Sequence, residues 1–403
     1  MTIEDSPLKY IATPAEWPDR TMPQVRALLE DRPVVKAELP DGRIAWLVTS
    51  YEEVRQMLID PRFSRALAVE PGRAQPGFEM FAAGTINGLD PPEHTRLRKL
   101  VASAFTARRV EAMRPRVAAA VTELIDGLLD GSPPADLVAA FSLPLPVQVI
   151  CEMLGVPAED VDKFHAWSDV VMGDWHRDSD EIMTALLELY TYLSELIAAK
   201  RTEPTDDLIS ALIAARDEQD RLSEDELNVL ACTLLIGGHE TTSNQINLSL
   251  LVLLDNPDEV AKLRAEPGLI PGAVEELMRY VRLGGVAPSR VTTEEVDLAG
   301  VTIPAGDVVI PLYDTANRDS SVFTDPDRFD VSRAPTANHL AFGIGVHHCV
   351  GAQLARMELQ EALGGLLARL PGLRLAVPAD ELKFKPGMAI HSVSELPISW
   401  DTP

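Results

Sequence analysis

The spacing of apolar residues changes along the chain, and each change predicts a different kind of secondary structure. From Glu93 to Val281, apolar positions recur every three to four residues, which predicts a series of helices. Between Glu294 and Leu312 they alternate with polar residues and are interrupted by glycine and proline, which predicts hairpins. Ala352–Leu370 is again helix-like, and Leu373–Trp400 has the pattern of short strands. The chain is therefore predicted to be mainly helical, with small sheets.

The N-terminal part shows the same mixture on a smaller scale. A short extended run, Arg43–Thr49, precedes a helix-like segment, Tyr51–Leu58. We find no internal repeat and no tract long enough to be an interdomain linker. We therefore predict one α+β domain over residues 1–403, with a helix-rich core at about 90–290 and β-rich segments at about 40–50, 294–313 and 373–400.

Charge narrows the function classes. The 403 residues include 36 basic and 62 acidic side chains, a formal net charge of −26, which argues against nucleic acids and anionic membranes as partners. The most apolar region, Leu227–Leu254, has His239 and Glu240 in its middle, so no membrane span is predicted there. The N-terminus lacks the pattern of a signal peptide, and a cytoplasmic location is expected.

The three cysteines are widely spaced and form no disulfide framework, which also suits a reducing compartment. Cys151 and Cys232 lie on apolar helical faces and are interpreted as buried structural residues. Cys349 lies in a glycine-rich loop just before a helix that starts near Gly351. Free N–H groups at a helix start favour a thiolate, so this cysteine is suited to binding one metal from one side.

Two other interpretations of the cysteine loop are possible. Cys349 could be a structural cysteine in a tight turn. A zinc site made by His347, His348 and Cys349 is disfavoured, because adjacent residues rarely converge on one tetrahedral ion.

The loop sequence FGIGVHHCVG, followed by AQLAR, resembles the haem-binding signature F-G-x-G-x-H-x-C-x-G of the cytochrome P-450 monooxygenases, and it matches at every fixed position. The resemblance implies a single, mainly helical domain with haem b between a long central helix and the helix after the cysteine. It implies that the Cys349 thiolate is the axial iron ligand and that Phe342, Gly343 and Gly351 border the haem.

Gly237 and Gly238 interrupt a long apolar helical pattern, and each weakens a helix by roughly 1 kcal/mol. Without side chains they leave room for a ligand, and Glu240 and Thr241 follow directly. The alternative is a loosely packed helix with a polar stripe in solvent.

This segment also resembles the family's (A/G)-G-x-(D/E)-T core. The resemblance implies that the two glycines border the oxygen pocket and that Glu240 and Thr241 guide protons to bound dioxygen. Thr242 is interpreted as a neighbour in the same network, and His239 as a wall or surface residue.

Two further groups of charged residues match family motifs. Glu276 and Arg279 stand three residues apart, which on an exposed helix has little meaning, but the spacing matches a buried E-x-x-R pair. Arg328, in Pro326-Asp327-Arg328-Phe329, is the implied third member of that structural triad. The family also implies four residues that bind the haem propionates: His94, Arg98, Arg290 and His347.

The resemblance implies a monooxygenase that inserts one oxygen atom of O2 into a C–H or C=C bond. The chain has no G-x-G-x-x-G nucleotide fingerprint, so electrons should come from NAD(P)H through a separate ferredoxin and ferredoxin reductase. A hydrophobic natural product of secondary metabolism is expected as substrate, such as a polyketide, macrolide, terpenoid or steroid, against a wall of Val286, Ala287 and Ile390. A peroxide-driven peroxygenase and a haem-binding sensor or carrier are the alternatives, and neither needs Glu240 and Thr241.

One segment runs against the acidic charge of the whole chain. His94–Ala118 has seven basic residues and one acid, Glu111, a local charge of +6. The seven are Arg96, Arg98, Lys99, Arg108, Arg109, Arg114 and Arg116. We expect this segment to lie beside the haem and to steer a small acidic ferredoxin towards it.

Overall fold

The computed structural model describes residues 8–9, 32–39, 42–70, 73, 82–102, 104–157, 160–172, 179–219, 222–284, 288–334, 338–385 and 390–402. The α-helices in these ranges are α1 (Tyr51–Ile59), α2 (Glu93–Ala102), α3 (Ala107–Asp130), α4 (Pro144–Leu154), α5 (Val161–Met172), α6 (Ser179–Thr202), α7 (Leu208–Gln219), α8 (Glu224–Asp255), α9 (Pro257–Ala265), α10 (Ile270–Tyr280), α11 (Tyr313–Ala316) and α12 (Ala352–Arg369). The strands are β1 (Leu8–Lys9), β2 (Val34–Glu38), β3 (Ile44–Val48), β4 (Phe63–Ser64), β5 (Ala135–Asp136), β6 (Arg290–Thr292), β7 (Val296–Leu298), β8 (Val301–Ile303), β9 (Val308–Pro311), β10 (Arg374–Leu375) and β11 (Pro397–Ser399).

The 32-residue helix α8 runs through the centre of the molecule. It begins with a capping box, in which the Ser223 hydroxyl accepts from the Glu226 N–H at 3.0 Å and the Glu226 carboxylate accepts from the Ser223 N–H at 2.7 Å. Apolar residues occupy nearly every face of the helix, and it is accordingly buried against α4, α6 and α12. α12, which packs on α8, starts directly after the loop that holds Cys349.

Six short strands form the largest sheet, in the order β1-β2-β3-β9-β6-β4. β2 and β3 pair antiparallel, whereas β9 joins β3 in parallel, with Trp46 opposite Val309. β7 and β8 form a separate hairpin, turned at Ala299 and Gly300, which have φ angles of 51° and 75°. The third sheet has the order β10-β11-β5.

The predicted fold class is confirmed: the molecule is mainly helical with small sheets. The alternation over Glu294–Leu312 does contain a hairpin, but β9 leaves it and inserts into the large sheet between β3 and β6. β9 is buried from Val309 to Pro311, so its apolar run is satisfied by a sheet interior.

One helix in the described residues, Asp180–Thr202, is long and apolar enough to cross a membrane by length and composition alone. A core helix passes the same test, and Leu189, Leu193 and Ile197 of this helix are fully buried within the protein. Met183 and Leu187, nearer the start of the same helix, are exposed.

Candidate active site

The loop before α12 holds Cys349 in a fixed position. Gly343 and Gly345 have φ angles of 62° and 73°, which favour glycine. A side chain on Gly345 would place its Cβ 2.8 Å from the Leu58 carbonyl oxygen, so the loop packs directly on α1. The Cys349 N–H donates to the Phe342 carbonyl at 2.8 Å, and this bond closes the loop at the start of α12.

The Cys349 side chain is accessible to solvent although it lies deep within the protein. Its sulfur therefore faces an internal cavity. Burial raises the pKa of its thiol, while the Gly351 N–H and the guanidinium groups of Arg98 and Arg356 oppose that rise. The Gly351 N–H at the helix start therefore favours the thiolate without fully offsetting desolvation. A bound metal cation would stabilise the thiolate further.

Three buried polar atoms near this cavity have no hydrogen-bond partner in the described residues: His94 Nδ1, His347 Nε2 and Arg290 Nε. The two imidazole rings lie 4.3 Å apart, and Arg290 is close enough to lower the pKa of both histidines. Burial, with Arg290 next, lowers the pKa of His347 to about 2, so its ring is neutral. Arg98 is half-buried and donates to the His348 carbonyl.

Buried donors without partners and uncompensated buried cations are costly unless an anion joins them. A haem would supply two such anions, its propionates, which these donors could bind, and an iron that the Cys349 thiolate could ligate. The residues present thus fit a haem. Among the described residues, no group of three or more His, Cys, Asp or Glu side chains could instead hold a metal ion.

Two side chains that sequence reasoning missed lie in the same region. Arg65 is 2% exposed and donates to the carbonyls of Ser289, at 2.5 Å, and Asn87, at 3.1 Å. The Tyr313 hydroxyl lies 3.8 Å from where a Cβ on Gly343 would stand. Both residues affect the pKa of the Arg290 guanidinium. Neither lies in a distinctive motif, so the sequence carries no signal for them.

The central helix exposes its backbone within its glycine-containing turn. Gly237 is exposed, and a Cβ added there would meet nothing within 4 Å, although the residues just before it are buried. A Cβ on Gly238 would instead lie 2.9 Å from the Ile150 side chain, so this glycine is required by packing of α4 on α8. The Thr241 hydroxyl donates to the Gly237 carbonyl at 2.8 Å, and Thr242 donates to Gly238 at 3.2 Å.

Glu240 is 4% exposed and points back into the fold. Its Oε1 accepts from Asn244 Nδ2 at 2.8 Å, and Oε2 lies 3.8 Å from His239 Nε2. His239 is 2% exposed, which corrects its interpretation as a possible surface residue. The second half of α8 contains a series of buried polar residues, and His239 is one of them.

The family model for cytochrome P-450 matches residues 145–371. The chain is 48% identical to nocardicin C N-oxygenase of Nocardia uniformis subsp. tsuyamanensis, over 94% of this chain and 95% of that protein. It is also 48% identical to mycinamicin IV hydroxylase/epoxidase of Micromonospora griseorubida, over 93% and 94%.

The chain belongs to the cytochrome P-450 family. A crystal structure of a cytochrome P-450 hydroxylase from the leinamycin biosynthetic pathway of Streptomyces atroolivaceus superposes with a TM-score of 0.87 at 45% identity, covering 94% of this chain and 96% of that one. The cofactor is haem with the Cys349 thiolate as axial ligand, and the enzyme is a monooxygenase. When bound, the haem iron supplies the centre at which dioxygen is activated.

The buried ion pair of this cytochrome P-450 needs one correction. Arg279 Nε and Nη2 each lie 2.8 Å from a carboxylate oxygen of Glu276, and both side chains are almost fully buried. The third member is Arg333, whose Nε donates to Glu276 Oε1 at 2.9 Å. Arg328, predicted for that role, has a 63% exposed side chain and lies 3.5 Å from Asp330. The arginine that reaches Glu276 is thus five residues further along the chain than the one in the motif, because the chain returns to Glu276 only after the turn that follows Phe329.

The substrate wall is described only in part. Val286 and Ala287 lie outside the described residues. Ile390 is 9% exposed and forms an isolated β-bridge with Gly284, so it is buried beside that segment.

The basic segment is less basic at its surface than the sequence suggested. Arg96 forms an ion pair with Glu226, Arg114 with Glu111 and Glu361, and Arg116 with Glu152. Arg98 turns inward to His348. The exposed cations left without such an acid in the described residues are Lys99, Arg108 and Arg109.

Proposed function

We propose that this cytochrome P-450 is a ferredoxin-dependent, cytoplasmic monooxygenase of secondary metabolism that hydroxylates or epoxidises a bulky hydrophobic natural product. The observation that carries the proposal is the Glu240–Thr241 pair beside the accessible backbone of Gly237. A peroxide-driven enzyme or a sensor has no use for a proton path at this point.

In this proposal Thr241 holds a proton donor at the oxygen pocket and Glu240 supplies the proton. The Thr241 hydroxyl donates a hydrogen bond to the Gly237 carbonyl. Its oxygen lone pairs therefore stay available to accept a hydrogen bond from a water or from a proton donor. Glu240, anchored by Asn244, is one residue away and deeply buried. Thr242 is bonded to Gly238 in the same way and borders the pair.

We infer that His94, Arg98, Arg290 and His347 bind the two propionates, with Phe342, Gly343 and Gly351 beside the ring. The unpartnered atoms of His94, Arg290 and His347 support this assignment. The substrate class is supported by the relatives, one an N-oxygenase of nocardicin C, one a hydroxylase and epoxidase of mycinamicin IV. Because these two relatives act on different substrates, a binding screen is needed to identify the substrate of this chain.

The test uses the haem-loaded protein in parallel reactions. A panel of natural products is first screened for those that shift the haem Soret band, and a hit is then incubated either with NADH, ferredoxin and ferredoxin reductase or with hydrogen peroxide alone. Product formed with the first mixture and little with the second supports the proposal. Equal or greater product with peroxide alone would make the chain a peroxygenase, and Soret shifts with no product in either mixture would make it a sensor or carrier.

A further inference from the structure

Arg356, on the second turn of α12, is fixed on several sides. Its Nε lies 2.6 Å from Glu275 Oε1 and its Nη2 3.0 Å from Glu275 Oε2, a bidentate pair. Its guanidinium carbon lies 4.5 Å from the centre of the Phe342 ring. Its Nη1 lies 3.5 Å from the Ala352 carbonyl oxygen. The side chain is 22% exposed, so its charge is only partly screened by solvent.

Glu275 receives a third donor. His339 Nδ1 accepts from the Ala341 N–H at 3.3 Å, which places the ring proton of a neutral imidazole on Nε2, 3.1 Å from Glu275 Oε2. Burial would raise the pKa of Glu275, but the hydrogen bonds from His339 and Arg356 outweigh it and lower that pKa to about 2. The carboxylate is therefore ionised under all working conditions, and it immobilises Arg356.

The guanidinium touches both residues that fix the backbone of Cys349. Phe342 supplies the carbonyl that accepts the Cys349 N–H at 2.8 Å, and the Ala352 N–H donates to the Cys349 carbonyl at 3.4 Å. Arg98 reaches the same loop from α2, through the His348 carbonyl. Two cations from different helices, Arg98 and Arg356, therefore contact the loop and the helix start that hold Cys349.

We propose that Arg356 is a positioning residue of the haem site, which stabilises the Cys349 thiolate electrostatically and raises the reduction potential of its iron, while Glu275 offsets part of that charge. Reduction of ferric to ferrous haem takes up one electron and no proton, so the site gains one negative charge. A fixed cation nearby favours the reduced form, and a fixed anion opposes it. The proposal needs only the haem ligation and is independent of the substrate and the proton path.

The test is a dithionite titration of the ferric, haem-loaded protein with redox mediators at constant pH. For Arg356→Gln we expect the reduction equilibrium to move about tenfold towards ferric, which is 59 mV for one electron. For Glu275→Gln we expect a shift in the opposite direction, because Arg356 keeps its charge and loses its counter-ion. Arg356→Lys, which keeps the charge but loses the bidentate geometry, should lie between wild type and Arg356→Gln.

Arg369→Gln is the matched control, since it removes a cation from the same helix as Arg356, about 20 Å further along, where it pairs with Asp126 of α3. It should leave the equilibrium unchanged. Shifts of the same sign for the Arg356→Gln and Glu275→Gln variants, or no shift in either, would overturn the proposal. If Arg356→Gln loses the red-shifted Soret band of the ferrous carbon-monoxide complex, Glu275→Gln decides: a move towards ferrous supports the electrostatic role, and no move or the reverse refutes it.

Discussion

The hydroxyl of Thr241 has a fixed partner, the Gly237 carbonyl one helical turn earlier. The same bond occurs at Thr233, whose hydroxyl donates to the Val229 carbonyl at 2.7 Å. Thr233 is 5% exposed, whereas Thr241 is partly accessible next to the exposed Gly237. The two threonines of one helix thus make the same hydrogen bond and differ in accessibility. Comparing their variants therefore distinguishes a local structural role from the proposed role in proton delivery.

Thr241→Ala should uncouple the enzyme while Thr233→Ala should not. If the Thr241 hydroxyl takes part in proton delivery as proposed, its removal should divert electrons from NADH to hydrogen peroxide. We expect product formed per NADH to fall about tenfold or more, with substrate-induced Soret shifts nearly unchanged. Product, NADH and peroxide are measured in the same reaction. Equal coupling in the two variants would remove Thr241 from the mechanism.

Arg333 and Arg328 provide a second comparison between residues of one type. Arg333 bonds the buried Glu276 and also donates to the carbonyls of Thr324, at 2.5 Å, and Arg328, at 2.6 Å. Arg333→Ala should therefore lower the free energy of unfolding by about 2–3 kcal/mol and weaken haem retention. Arg328→Ala removes an exposed pair and should cost less than about 0.5 kcal/mol. Urea unfolding of both variants checks this, and a larger loss for Arg328→Ala would contradict the arrangement seen here.

The sequence could predict the Glu276–Arg279 pair because three residues along a helix fix its geometry. It could not choose between Arg328 and Arg333, since both lie in an irregular segment whose path is set by packing against α10. The same limit applies to Arg356 and Glu275, which are 81 residues apart and meet only through the packing of α10 on α12. Motif spacing predicts contacts within an element well and contacts between elements poorly.

At the scale of helices, the two adjacent glycines of α8 have different reasons to be glycine. Gly238 is a point of close approach between α8 and α4, since its Cβ would meet Ile150 at 2.9 Å. A Cβ on Gly237 would instead meet nothing within 4 Å. Packing therefore explains the second glycine, Gly238, and not the first, a distinction that the sequence pattern Gly-Gly does not contain.

Alanine at the two positions should therefore have opposite effects on stability. Gly237→Ala should raise the free energy of unfolding by up to about 1 kcal/mol while changing the affinity for ligands that shift the Soret band. Gly238→Ala should lower stability by about 1–3 kcal/mol. Combining Gly238→Ala with Ile150→Ala should cost less than the sum of the single changes, since the clash is gone. Urea unfolding of wild type, Gly238→Ala, Ile150→Ala and the double variant tests this. If the two losses in the free energy of unfolding simply add, the close contact assigned to Gly238 is wrong.

Elements follow the sequence pattern where their hydrophobic faces repeat regularly. The pattern predicts a helix over Ala352–Leu370, and α12 runs over Ala352–Arg369, while the β7–β8 hairpin lies within the segment predicted to form hairpins. The place of β9 could not be predicted, because its partner β3 lies about 260 residues earlier and a short apolar strand fits many sheets equally well. Regular local periodicity specifies an element, whereas non-local pairing specifies its neighbour.

For the molecule as a whole, charge is distributed unevenly along the chain. Although the chain carries −26, α2 and α3 contain several cations, of which Arg96, Arg114 and Arg116 are matched by acids. Lys99, Arg108 and Arg109 remain exposed on these two helices. Lys99 follows Arg98, which contacts the cysteine loop, whereas Arg109, at the start of α3, lines a surface pocket with Glu152, Asp206 and Asp207. We expect these exposed cations to attract an acidic electron donor locally, although the net charge of the whole protein is −26.

Reversing Lys99 or Arg109 to Glu should therefore slow reduction of the haem by an acidic ferredoxin, by about threefold to tenfold at low ionic strength. Arg96 is unsuitable for this test, because a glutamate there would face Glu226 and disturb α8. Lys36→Glu, an equal change of charge at an exposed position on β2, is the matched control and should have little effect.

Reduction is followed by stopped-flow absorbance under carbon monoxide. Dithionite reduction and substrate-induced Soret shifts should be unchanged in every variant. The difference between variants and wild type should shrink as salt is added, since screening shortens to about 8 Å at physiological ionic strength. Rates that respond neither to salt nor to the two reversals would show that the donor docks elsewhere.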